Sequence, residues 1–214
     1  MARRALRKLD PTLDLTGRLL TLEQLSQPFD PATLFARRAP LEIEMGSGKG
    51  LFLSSAAAAR PDRNFLGVEI AKKYAAHCAA RCARAELANA VMISGDGLRL
   101  FREFLPAASA AAVHVYFPDP WWKKRHRKRR VLNELFLLDV HRVLQPAGTL
   151  HFWTDVEEYF LSTLELIAGL RRFDGPLAVP EARPEHDLDY RTHFERRKRR
   201  EGVPIFRSEF RRRD

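Results

Sequence analysis

The chain has 214 residues, 45% of them apolar and 30% charged, with a formal net charge of +10. That length and mix fit one globular unit with a sizeable core, not a fibrous or disordered chain. No apolar run reaches the roughly 18 residues of a membrane span, and the basic start MARRALRKLD leads into no apolar signal segment, so a cytoplasmic protein without membrane contact is expected.

In chain order, residues 1–39 lack a clear strand or helix period and read as an N-terminal extension. PLEIEM (40–45) predicts a short strand, and GSGKG turns from it into the helical LFLSSAAAAR. NFLGVEI (64–70) predicts a second strand and 71–87 an Ala-rich helix. AVMISGD (90–96) and AAVHVYF (111–117) predict the third and fourth strands. VLNELFLLDVHRVL (131–144) has helical spacing and stops at QPAG; TLHFWTD (149–155) is a fifth strand and 156–170 another helix. Strands alternating with helices of about 10–15 residues imply right-handed β-α-β units and a mostly parallel sheet. Cys78 and Cys82, the only cysteines, lie one helical turn apart beside His77. A structural zinc site takes four ligands and no second pair exists, so no metal is expected and both read as small helix residues of a reducing compartment.

The charge is concentrated. Residues 3–8, 123–130 and 191–214 together carry a net +17, which leaves the remainder at −7. Such clusters release counterions when they meet phosphates, so a nucleic acid partner is expected. The predicted strands end in acids: Glu44, Glu69, Asp96, Asp119 and Asp155. Any one of these suits a helix cap, but five together mark the edge where open α/β sheets bind ligands.

EMGSGKG places Gly46, Gly48 and Gly50 at alternate positions. A phosphate-binding loop needs Ser or Thr after the lysine, where this chain has Gly50. A dinucleotide loop needs G-x-G-x-x-G, where position 51 is Leu. The third candidate is the nucleoside loop of S-adenosylmethionine enzymes, E-x-G-x-G-x-G. Its ligand is cationic at the amine and sulfonium, and strand-end acids suit those groups. Glu69 suits ribose hydroxyls, though it would serve a dinucleotide equally, and Asp96 suits adenine.

IEMGSGKG, FLGVEI, SGDG, FPDPWWKKRH, FWTD and YRTHFERR occur in this order from about residue 40 to the C-terminus. Together they resemble the bacterial single-chain tRNA (guanine-N7)-methyltransferase family. The resemblance implies an α/β, class I methyltransferase (Rossmann-like) fold, with a mostly parallel seven-stranded sheet and helices on both faces, over residues 40–214. It implies S-adenosylmethionine as cofactor, tRNA as partner and the variable-loop guanine, nucleotide 46, as target. Carried over by motif, the cofactor residues are Glu44, Glu69, Asp96 and Asp119, with Gly46, Gly48 and Gly50 forming the loop. The substrate residues are Lys123, Asp155, Thr192, His193, Phe194 and Glu195. Trp122 departs from the pattern but keeps the spacing from Asp119 to Lys123.

Guanine N7 already presents a lone pair, so positioning and electrostatics are what an enzyme must add. Asp119, stiffened between Pro118 and Pro120, is the expected catalytic carboxylate that stabilises the charge passing to the base. Asp155 and Glu195 are expected to read the guanine Watson–Crick edge, with Thr192 in support. Trp121 is expected to pack inward. Lys124, Arg125, His126, Arg127, Lys128, Arg129 and Arg130 are expected to form a mobile, phosphate-gripping loop, with residues 196–200 as a second wall. A monomer or homodimer is expected. The competing functions are a non-catalytic RNA-binding module, a nicotinamide-dependent oxidoreductase, and a methyltransferase for small molecules or protein.

Overall fold

In LEIEM the residues alternate between two faces, and the strand is buried along most of its length. Leu41 and Ile43 join the larger apolar core, while Glu42 and Glu44 are buried on the other face. The chain is described by a computed structural model at residue 6, residues 8–180 and residues 190–214. Arg3, Arg4 and Arg7 of the N-terminal basic cluster lie outside the described residues.

The strands are β1 (Leu19–Thr21), β2 (Leu41–Met45), β3 (Asn64–Glu69), β4 (Ala90–Ser94), β5 (Ala110–Tyr116), β6 (Leu144–Thr154), β7 (Phe173–Leu177) and β8 (Phe206–Arg212). The helices are α1 (Leu51–Ala59), α2 (Lys72–Arg84), α3 (Gly97–Arg99), α4 (Glu134–Val143), α5 (Glu157–Leu170) and α6 (His193–Arg200). The expected alternation between residues 40 and 170 is observed.

The sheet runs β1-β4-β3-β2-β5-β6-β8-β7. β8 is antiparallel to β6 and β7; the other pairs are parallel. The sheet therefore has eight strands, not the expected seven. The extra one, β1, comes from the presumed extension: Leu19–Thr21 pair with Met92–Ser94 and cover the edge of β4. Leu22, Leu25, Phe29 and Phe35 follow it into the core, so residues 19–35 pack as part of the fold. They lack a clear period because short 3-10 turns, not a helix, carry these side chains inward.

One face of the sheet packs on α4, α5 and the π-helical turn Leu100–Phe104. The other packs on α1 and α2, where Phe52, Leu53, Cys78 and Cys82 are buried. Both cysteines are thus helix residues, as expected, and both are free and buried. QPAG does end α4, but residues 144–148 continue into β6 with a shifted register between Ala110 and Ala112. The strand order reverses between β2 and β5. The carboxyl ends of these two parallel strands flank the crevice where such sheets bind ligands.

Candidate active site at the carboxyl edge of the sheet

The glycine loop leaves β2 and enters α1 with Gly46, Gly48 and Gly50 all in the left-handed region, at φ of 78°, 54° and 72°. Only glycine holds that backbone without strain. A Cβ on Gly46 or Gly48 would meet nothing, so the loop opens onto free space. A Cβ on Gly50 would strike Cys78, because α2 packs directly against the loop. Glu69, at the end of β3, fixes the loop from the side. Its Oε2 accepts from the Gly48 amide at 2.9 Å and its Oε1 from the Ala71 amide at 2.8 Å. Asp96 caps α3 by accepting from the Leu98 amide at 2.9 Å.

Glu44 lies under the loop, 3% exposed, and its Oε2 has no hydrogen-bond partner among the described residues. Burial, reinforced by the charge of Glu69, pushes its carboxyl up to about 8. A buried carboxyl with one oxygen unpaired costs stability, and a cationic or N–H-bearing ligand would relieve that cost.

Beyond β5 the FPDPWW turn places Asp119 at the surface, with no hydrogen bond or ion pair among the described residues. Arg130 braces the turn. Its Nε donates to the Pro120 carbonyl at 2.8 Å, its Nη2 to Glu158 of α5 at 2.7 Å, and its guanidinium lies 4.4 Å from the Tyr159 ring centre. Arg130, expected among the phosphate-gripping cations, is therefore 7% exposed and structural. The expectation failed because Glu158, twenty-eight residues away, supplies a carboxylate that local charge counting does not show. Arg127 also pairs with Glu158, at 3.2 Å and near the surface. The run is not an irregular loop but is wound in 3-10 turns over Lys124–Arg129. Trp121 is half-buried, meeting the His126 ring edge-on and carrying Arg129 over its face. Trp122 is 68% exposed. Lys123, Lys124, Arg125, Lys128 and Arg129 remain exposed, and His126 is half-buried.

The C-terminal motif closes the site from the far side. Thr192 caps α6 through the Glu195 amide at 3.0 Å. Phe194 packs its ring 5.0 Å from that of Phe117, next to the FPDP turn. His193 meets Arg81 of α2 at 3.0 Å. Asp155, just past β6, pairs with Lys198 at 3.0 Å. Glu195, expected to read a guanine edge, is instead turned inward at 2% exposure. It accepts from the Arg191 amide at 2.7 Å and pairs with Arg199 at 2.8 Å. Its carboxylate fixes the start of α6, because a buried acid needs partners and these lie within four residues.

A buried polar ladder crosses the sheet below. His114 bonds Glu42 at 2.8 Å and the Tyr116 hydroxyl at 2.9 Å, and stacks 4.4 Å from His151, which pairs with Glu209 at 2.9 Å. Burial, with His151 alongside, pushes the His114 imidazole down to about 3. Burial tends to raise Glu42, but the bond from His114 and the charges of Arg60 and Arg63 outweigh it and hold the carboxyl down to about 2.

The family model described as "Putative methyltransferase" matches residues 38–208. The tRNA (guanine-N(7)-)-methyltransferase of Rhodopirellula baltica is 51% identical over 100% of this chain and 81% of its own length. The protein of the same name from Halorhodospira halophila is 39% identical over 80% of this chain and 74% of its own. The chain belongs to the tRNA (guanine-N7)-methyltransferase family. Its fold matches that of class I methyltransferases of known structure. One is the 16S rRNA (adenine(1408)-N(1))-methyltransferase of Catenulisporales acidiphilia, at TM-score 0.55 and 18% identity over 82% of this chain and 86% of that one.

The cofactor of such a methyltransferase fits the residues present. The unpartnered Glu44 oxygen, the open glycine loop, the Glu69 carboxylate and the free Asp119 suit a ligand with cationic groups and ribose hydroxyls. Ile70, 71% exposed next to Glu69, offers an apolar surface to a nucleoside base. The motif FLGVEI ends on Ile70, but only its exposure marks it as a ligand surface. Arg191, inside YRTHFERR, is a second residue to which sequence reasoning gave no role. Its guanidinium lies over Phe52 and Trp153, tying the lead into α6 to α1 and β6.

Proposed function

We propose that this protein transfers the methyl group of S-adenosylmethionine to N7 of a guanine in tRNA, and that the target is the variable-loop guanine at nucleotide 46. The contact between Phe117 and Phe194 carries this reading. It brings the FPDP turn of β5 against the THFE motif, so that residues far apart in sequence share one edge with the glycine loop.

When bound, the cofactor supplies an electrophilic methyl on a sulfonium. Glu44, Glu69, Asp96 and the glycine loop hold it in this proposal, and Asp119 faces the reacting centre. Guanine N7 needs no base to become a nucleophile, so the chain contributes position and charge. Asp119 stabilises the positive charge that reaches the imidazole ring. The clamp from Arg130 to the Pro120 carbonyl keeps that carboxylate in place. Asp155 and Thr192 border the guanine, and Lys123, Lys124, Arg125, Lys128 and Arg129 hold the flanking phosphates without reading sequence.

The test is mass spectrometry of nucleosides from tRNA incubated with the purified protein and labelled cofactor. Labelled 7-methylguanosine in the variable loop is expected; label on another base or none at all would overturn the proposal.

A further inference from the structure

A further concentration of positive charge lies on the outer face of α2, outside the three basic segments seen in the sequence. Lys49, His77, Arg81, Arg84 and Ala85 line a cleft of about 390 Å³. Arg81 is held in place: its Nε donates to the Lys49 carbonyl at 3.1 Å and its Nη2 meets His193 Nε2 at 3.0 Å. These two bonds leave N–H groups of the guanidinium available.

Lys49 and Arg84 are exposed, and among the described residues no ion pair closes on Lys49, Arg81 or Arg84. No acid among the described residues lines the cleft. Asp10 feels the charge of Arg84, but its carboxylate is engaged by Thr12 at 2.7 Å and 3.0 Å. His193 faces Arg81, Arg196 and Lys49, and burial together with these charges pushes it down to about 4. It therefore stays neutral and accepts from Arg81 at neutral pH.

A concave surface lined by cations, with no acid among its described residues, suits an anion. Through His193 this one adjoins the start of α6, where the next residue, Phe194, makes the Phe117 contact. We infer that the cleft binds a backbone phosphate of the RNA substrate, as an anchor separate from the run 123–129. The inference rests on the tRNA-methylating reading above. Two separated grips fix the orientation of a rigid folded RNA, which one patch alone leaves free to pivot.

The experiment measures fluorescence anisotropy of labelled tRNA across a salt series for the wild type, Arg84→Gln, and Arg84→Gln with Lys49→Gln. Each phosphate neutralised contributes about 0.7–0.9 to the slope of log affinity against log salt, so the single variant should lose about that much. The double variant should lose at least as much, and both should bind tRNA less tightly at low salt. Calorimetry with S-adenosylmethionine should give the wild-type affinity for Arg84→Gln, which also reports an intact fold. An unchanged salt slope overturns the cleft as a phosphate site. So does a weakened cofactor affinity with an unchanged slope, because the anion would then be the cofactor's carboxylate. Wild-type protein that binds tRNA but transfers no methyl group would sink the enzymatic reading instead, a result independent of the slopes.

Discussion

The Glu69 carboxylate, at the end of β3, accepts a hydrogen bond from the Gly48 amide at 2.9 Å. One side chain thus joins the end of β3 to the loop that follows β2. Glu69→Ala should weaken S-adenosylmethionine binding, while methyl transfer survives at saturating cofactor. Isothermal calorimetry beside a cofactor titration of the rate checks this, and wild-type affinity in the variant would remove Glu69 from the site.

Glu44 makes the free protein's stability depend on pH. Its folded value of about 8 lies above the ordinary 4.5, so the stability it confers is full below 4.5 and is lost as pH rises towards 8. Thermal melts of the ligand-free protein should fall between pH 6.5 and 8, and Glu44→Gln should flatten that fall. A cationic ligand that draws Glu44 into the charged form must also release a proton. Calorimetry at pH 7 in buffers of different ionisation enthalpy should register up to one proton released by the wild type and less by Glu44→Gln.

Below Glu44 the ladder behaves in the opposite sense. His114 and Glu42 have folded values of about 3 and about 2, beneath their ordinary 6.5 and 4.5. Their stability is present above those ordinary values and is lost as pH falls, first through His114 and then through Glu42. Each group contributes at most about 1.4 kcal/mol per pH unit. Denaturant titrations should show steep destabilisation below pH 4.5, and His114→Gln should be less stable at pH 7 with a shallower acid slope. An unaltered slope would show that the imidazole is not held neutral.

Asp119 is exposed and has no partner among the described residues, so Asp119→Asn should melt at the wild-type temperature. Loss of one charge at the reacting centre typically costs about 10²–10³ in rate. Single-turnover methyl transfer measures it. Near-normal turnover would reduce Asp119 to a turn residue.

Within the basic run, position decides the outcome. Lys124, Arg125, Lys128 and Arg129 replaced together by Gln should keep the fold. The salt slope of tRNA binding should fall by about 0.7–0.9 for each side chain that touches a phosphate. Arg130→Gln should instead lower stability by about 1–3 kcal/mol, since it strands the Pro120 carbonyl and leaves Glu158 with Arg127 alone. Anisotropy across a salt series and denaturant melts separate the two. A stable Arg130→Gln protein with a reduced salt slope would return that residue to the RNA-facing set.

The chain order of strands and helices, the glycine loop and the strand-end acids were legible in the sequence because each is a local matter. Alternation marks a strand, a 3.6-residue period marks a helix, and successive glycines mark a left-handed turn. The motifs extended this to family and chemistry. Three features depended on partners remote in sequence. β1 exists because the edge of β4, some seventy residues onward, offers it a ladder. Arg130 is structural because Glu158 and Tyr159 reach it from α5. The cation cleft forms because Arg81 is held between the glycine loop and His193, 112 residues away. Composition fixes how many charges a chain carries, but burial and pairing fix which of them a ligand can meet, and those follow only from where the folded backbone puts each side chain.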